Sequence, residues 1–289
     1  MTSLPARAGR RCHHVLNPLY STVYFSPDYP RELADVGVHD RETHFFIGRA
    51  ATLGAVGPGV VTATFYNYNH ELVARHVPAL WRTTTPEAVV GARLRAADTT
   101  LRRLLGDDVI KSDAMAEAAG LALRAAEACT RHARPLYAAQ ADQPVPAEPH
   151  LAYWHASALL REHRGDGHLL ALLDAELDQV EALVSHTATG KGMRPHWVLA
   201  TRGWGRADWD AAVERLRGRG ILASEGELTL TEAGEALRAD LEERTDRLDA
   251  APYEHLGAEG VERLTELGRG FLMTAVAAGG FPADLTGKG

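Results

Sequence analysis

Cysteine is almost missing from this 289-residue sequence: there are two, Cys12 and Cys129. Two thiols so far apart supply neither a disulfide framework nor a CxxC metal knuckle, which suits a reducing compartment. No stretch approaches the about 18 consecutive apolar residues of a membrane span. Arg7, Arg10 and Arg11 lie near the start, but no apolar run follows them, so no secretory leader is expected and the chain is expected in the cytoplasm. Lysine is scarce, internal repeats and low-complexity tracts are absent, and no GxSxG, P-loop, GxGxxG or HExxH occurs. Hydrolases built on a nucleophile elbow, P-loop NTPases, Rossmann oxidoreductases and zincins therefore lose most of their support.

What is there is ordinary globular material. Apolar residues make up 45% and charged residues 24%, enough for a core, and the length exceeds the usual single domain. The net charge of −7 argues against a general polyanion binder, although a local patch overrides a global sum.

Prolines break the first 80 residues into short pieces. Within them, 42–53 reads as a helix stopped by Gly54 and Gly57, and 60–68 as either a strand or a buried helix. Helices then take over. Thr85 is an N-cap with Pro86 in the first turn of a helix that runs to Leu105, and another helix is predicted over 112–137. A proline-rich connector, 143–149, precedes two helices, 150–164 and 167–186, with Gly165 as stop and Asp166 as N-cap between them.

The C-terminal third has a different order. Residues 195–201 read as helical, Gly203-Trp204-Gly205 as a tight turn and 207–219 as a second helix. Residues 221–231 alternate around a glycine like a two-stranded β-wing, and a charged helix over 232–248 and a last helix over 260–278 follow. This is the order of a winged helix-turn-helix, and Arg217 to Leu222 with Leu228, Thr229 and Gly234 resembles the recognition-helix exit and wing of MarR-like proteins. The expected fold is mainly α: a helical domain over 1–190, then a winged helix-turn-helix domain over 191–289 with a small β-wing.

Charge works against DNA here. Arg206, Arg215, Arg217 and Arg219 share the second helix with Asp208, Asp210 and Glu214, and the wing tip carries Glu225 and Glu227. Residues 194–250 hold nine arginines against twelve acidic residues, a local balance of −3. Sequence-specific DNA binding is therefore not expected from these residues.

The most chemically loaded run is Arg161-Glu162-His163-Arg164-Gly165-Asp166-Gly167-His168. Capping alone accounts for its cations, glycine and aspartate. Yet Glu162, His163 and His168 converge there as acid–base candidates, and Arg164 as an anion clamp. A Glu/His/His set suits a divalent metal, but this spacing is not a recognised ligand spacing, so neither metal nor cofactor is expected. Tyr20, Tyr24, Tyr66 and Asn67 form an aromatic–polar set. His44 and Arg49 sit in an apolar helix, where a buried arginine needs an acid or a bound anion.

The stretches Asn17 to Phe25, Phe46 to Val56 (FIGRAATLGAV), Val61 to Asn67, Leu160 to His168 (LREHRGDGH), Arg202-Gly203-Trp204 and Glu243 to Asp246 resemble an actinobacterial helix-turn-helix family of about this length. The resemblance implies a helical N-terminal domain followed by a winged helix, and brings no activity with it. The chain departs from that pattern at Asn17 and Tyr20, where relatives carry Glu and His.

Together these features favour a small-molecule-binding protein, an enzyme of secondary metabolism, with its pocket between the Tyr20–Asn67 segment and the Arg161–His168 run. The alternatives are a ligand-responsive winged-helix transcription regulator and a non-catalytic partner subunit. A homodimer or a partner protein is the expected association, and no membrane.

Overall fold

The computed structural model of the protein describes residues 4–287. Among them the α-helices are α1 (Ala8–Ser21), α2 (Asp28–Ala34), α3 (His44–Ala50), α4 (Pro58–Phe65), α5 (His70–Leu80), α6 (Pro86–Leu105), α7 (Asp107–Ile110), α8 (Asp113–Ala126), α9 (Pro135–Ala141), α10 (Pro149–Asp174), α11 (Gln179–Ala188), α12 (Pro195–Arg202), α13 (Arg206–Gly218), α14 (Glu232–Leu248) and α15 (Ala250–Ala277). No single helix is long and apolar enough to cross a membrane.

The mainly α architecture is as expected, but the β-wing is not there. No strand forms among the described residues, and 221–231 is a loop closed by one isolated bridge, Leu222 with Leu230. Hydrogen bonds from Ala223 N–H to Thr229 O (2.9 Å) and Thr231 N–H to Ile221 O (3.0 Å) flank it. Beyond them Ser224, Glu225, Gly226 and Glu227 are exposed, and without side chains to pack across the pair the ladder stops.

Local chemistry explains most helix ends. The Thr85 hydroxyl accepts from Ala88 N–H (3.2 Å) at the start of α6, and Gly106 closes it at φ +79°. Ser112 caps α8 in the same way. The helix expected over 112–137 is two, α8 and α9, separated where Ala133 takes φ +57° before Pro135. The ambiguous 60–68 segment is helical as α4, with Pro58 in its first turn. The last helix starts at Ala250, ten residues before the expected 260, and is kinked at Gly257 (φ 78°, ψ 165°).

The largest correction concerns 164–167. Gly165 does not stop a helix and Asp166 does not start one, because α10 runs unbroken through both. The hairpin turn comes later, and there Asp178 and Glu181 form a capping box for α11.

By contacts the chain divides into two compact units, neither a single stretch of sequence. Among the described residues the first comprises 4–55, 80–167 and 246–281, and the second 56–79, 168–245 and 282–287. The linear reading, by contrast, places the boundary at 190.

In the first unit, α10 is the axial helix: every residue from His150 to Leu160 is buried. Such a helix needs neighbours all round. In the same unit α1 packs along α15, α15 on α8, and α2 on α6. Glycine permits the closest of these approaches, since a Cβ on Gly268 would lie 2.9 Å from the Tyr153 hydroxyl and 3.0 Å from Val15 Cγ2. The second unit is built around Trp209, packed with Val184, Val198, Ala212, Leu216, Leu222 and Leu241. There α11 and α13 pack together, and the Gly203 turn (φ +74°) joins α12 to α13.

Candidate functional site

The first unit gathers a polar cluster around the inner half of α10. Arg49, in α3, donates through Nε and Nη2 to both Glu162 oxygens, each at 2.7 Å. Glu162 is 2% exposed. The fork-to-fork geometry satisfies the demand that a buried arginine find an acid. Arg161 donates to the same carboxylate.

Beside this pair lies Arg93, buried and without a carboxylate partner among the described residues. It donates to the hydroxyls of Tyr20 (2.6 Å) and Tyr24 (3.1 Å), to Gln140 Oε1 (3.1 Å) and to Gly48 O (3.4 Å). Its guanidinium carbon stands 4.8 Å from the centre of the Trp154 ring, a cation–π contact. Gln140 in turn donates to His155 Nδ1 (3.2 Å), and burial, followed by the Arg93 charge, pushes the His155 pKa down to about 4. Tyr20 and Tyr24 share a hydrogen bond of 2.7 Å, and burial raises the Tyr20 pKa well above its ordinary value.

Arg93 and Gln140 were not among the residues singled out from sequence as a site. A signal for Arg93 was present: it stands in the i, i+4 row Val89, Arg93, Ala97, Leu101, Leu105 of α6, otherwise apolar and wholly buried.

Further along α10, His163 Nδ1 donates to Asp249 Oδ1 at 2.7 Å, with both side chains buried. Burial raises the Asp249 pKa against the pull of His163 and Arg164. Arg164 pairs with Asp246 (2.9 Å) and approaches Asp249 (3.8 Å). Asp166 caps a helix after all, though not its own: its Oδ2 accepts from the Tyr137 N–H (3.0 Å) in the first turn of α9. Burial pushes the Asp166 pKa up to about 7.

Gly167 has a reason to be glycine that has nothing to do with helix termination. A Cβ there would lie 2.8 Å from Arg134 Nη1. The buried Arg134 guanidinium crosses α10 at this point, donating to the carbonyls of His163 and Leu248. His44 is buried in α3, its Nε2 without a hydrogen-bond partner among the described residues and its pKa lowered by burial.

The structure therefore brings Tyr20, Tyr24, Arg49, Glu162, His163 and Arg164 into one unit, with His44 in the same unit. Tyr66, Asn67 and His168 belong to the second. There the Tyr66 hydroxyl donates to Leu177 O, and Trp204 Nε1 donates to Asn67 O (2.9 Å). The Thr245 hydroxyl, itself donating to Leu241 O, accepts from His168 Nδ1 (2.9 Å).

The second unit also holds the helix-turn-helix. Trp209, Ala212, Val213 and Leu216 anchor α13, while Arg206, Asp210, Glu214 and Arg215 are exposed. Its arginines meet acids within the unit: Arg206 with Asp210 (2.9 Å), Arg217 with Glu214 (2.8 Å), and Arg215 and Arg219 with Glu181 (both 3.1 Å).

The sequence profile of the helix-turn-helix family matches residues 9–282, nearly the whole chain. No curated protein and no solved structure matches it. The family match overturns the expectation that sequence-specific DNA binding is absent. The local acid excess on which that expectation rested is a sum over 194–250, whereas on α13 itself Arg206, Arg215 and Arg217 are matched by Asp208, Asp210 and Glu214, and its solvated pairs Arg206–Asp210 and Arg217–Glu214 hold little energy against an exchange of partners.

Proposed function

We propose, because the chain belongs to the helix-turn-helix family, that it is a DNA-binding transcription regulator whose reading helix is α13. The observation that carries this reading is the construction of α13. One face is held in the core by Trp209, and the other presents Arg206, Asp210 and Glu214 to solvent from the first turn onward. The N-terminal part of a recognition helix is the part that meets base edges, where arginine suits guanine and a carboxylate accepts from cytosine N4.

The Arg206–Asp210 pair does not obstruct this. Its side chains are 72% and 55% exposed, and solvated pairs of this kind are worth about 0–1 kcal/mol, so a phosphate or base edge replaces the carboxylate at little cost. The finer placement among actinobacterial proteins of this type rests on the LREHRGDGH stretch, which falls on α10, and on Val61 to Asn67, which runs off the end of α4. The reading as a small-molecule enzyme has less support: Glu162 and His163, its acid–base candidates, are each 2% exposed and committed to Arg49 and Asp249.

The test is selection of the full chain against a random-sequence duplex pool, followed by fluorescence anisotropy on the enriched site. A defined motif should emerge, and Arg206→Ala should weaken binding to it about tenfold or more while unrelated duplexes change less. A pool that stays random after repeated rounds at low salt would refute the proposal.

A further inference from the structure

A groove of about 720 Å³ runs along α15 in the first unit, with Pro5, Ala8 and Arg11 on its other side. The α15 residues that line it fall into two adjoining rows of i, i+4 spacing. One row is Ala258, Glu262, Glu266 and Gly270, and the other is Val261, Thr265, Arg269 and Met273. The first row is small and acidic, while the second is larger and carries the base.

We infer that this face is the interface between two copies of the chain, with α15 packed antiparallel to α15 of the partner about a two-fold axis between Thr265 and Glu266. A two-fold interface must be self-complementary, residue i meeting j and j meeting i. The two rows satisfy that condition. Laid antiparallel, the first row of each copy faces the second row of the other. Ala258 then meets Met273, Glu262 meets Arg269, Glu266 meets Thr265, and Gly270 meets Val261. The exposed Met273 finds a small residue and an acid finds the base, while Val261 is buried in its own chain behind the partner's Gly270.

Features of the single chain agree with this assignment. Met273 is 61% exposed and Val276, one turn on, 47% exposed, an apolar end with no cover of its own. Glu262 and Arg269 make no ion pair with one another or with any other described residue, whereas the neighbouring Arg263 and Glu266 pair with each other (2.9 Å). Gly270 has open space where a Cβ would stand, so its lack of a side chain serves no contact inside the chain. The rows run from 258 to 273, about 22 Å of helix.

The experiment is sedimentation equilibrium of the full chain and of charge variants, with circular dichroism to confirm that each is folded. The wild type should dimerise. Glu262→Arg and Arg269→Glu, each acting twice per dimer, should raise the dissociation constant about tenfold or more by setting like charges opposite. Combining Glu262→Arg with Arg269→Glu should restore it to within about threefold of wild type. Gly270→Leu, whose Cβ enters open space, should also weaken the dimer and covers the case in which a charge variant fails to fold. A monomeric wild type up to about 100 µM, a dimer indifferent to all these changes, or single-variant losses that the swap does not repair would each overturn the proposal.

Discussion

Replacing Asp166 with asparagine should change how stability depends on pH. Asp166 is 4% exposed, and burial lifts its pKa from an ordinary 3.8 to about 7. A carboxyl whose folded pKa lies above its unfolded pKa binds more protons in the folded state between those two values. Its favourable contribution is therefore present in full below about pH 4 and is lost as pH rises towards 7. At about 1.4 kcal/mol per pH unit, the gap sets a ceiling of about 4 kcal/mol. A carboxamide in its place would not titrate, yet the amide oxygen could still accept from Tyr137 N–H, so the cap on α9 survives Asp166→Asn. Urea denaturation of both proteins at intervals from pH 4 to 8 gives the difference curve, in which contributions from other groups, including Asp249, cancel. The variant should gain on the wild type by up to about 4 kcal/mol across that interval, mostly above pH 5. Parallel profiles would show that Asp166 does not titrate in that window and would refute the reasoning.

The opposite slope is expected from His155, whose pKa is pushed down to about 4 by burial and then by Arg93. Its stabilising contribution is present above pH 6.5 and lost as pH falls towards 4, so His155→Gln should flatten the acid side by at most about 3 kcal/mol in the same urea series. Glu162→Ala strands the Arg49 guanidinium in the interior and should cost about 3–5 kcal/mol, while Glu162→Leu combined with Arg49→Met should recover most of that loss; a double variant no better than the single would rule out the stranded charge as the cause. Trp209→Ala removes the centre of the second unit's core and should cost about 3–5 kcal/mol, visible as early loss of that unit's near-ultraviolet signal on heating.

Local rules made the capped helices readable. Thr85 with Pro86, Ser112 and the Gly203 turn each act within a few residues of themselves, so their outcome is written in adjacent sequence. The 221–231 segment alternates as a strand pair would, but alternation states only which side chains would share a face. Whether a ladder forms depends on cross-strand packing, and the exposed Ser224–Glu227 tip offers none. The division into units was hidden for a related reason: 56–79 and 246–281 join bodies far from them in sequence, through packing that no local pattern encodes.

The run from Arg161 to His168 shows why a site is harder to read than a fold. Gly165-Asp166-Gly167 carries the residues of a stop followed by a cap, and taken locally that is what they would do. Tertiary contacts assign the same residues other work. Asp166 caps α9, a helix that begins thirty-one residues earlier in the chain, and Gly167 leaves room for Arg134 to reach the His163 carbonyl. Once Arg134 occupies that space, a residue with a Cβ at 167 would collide with it, while the glycine costs the helix only about 1 kcal/mol. The helix therefore continues through a sequence that ordinarily ends one. The charged residues that precede it lie inside, where Glu162 meets Arg49 and His163 meets Asp249.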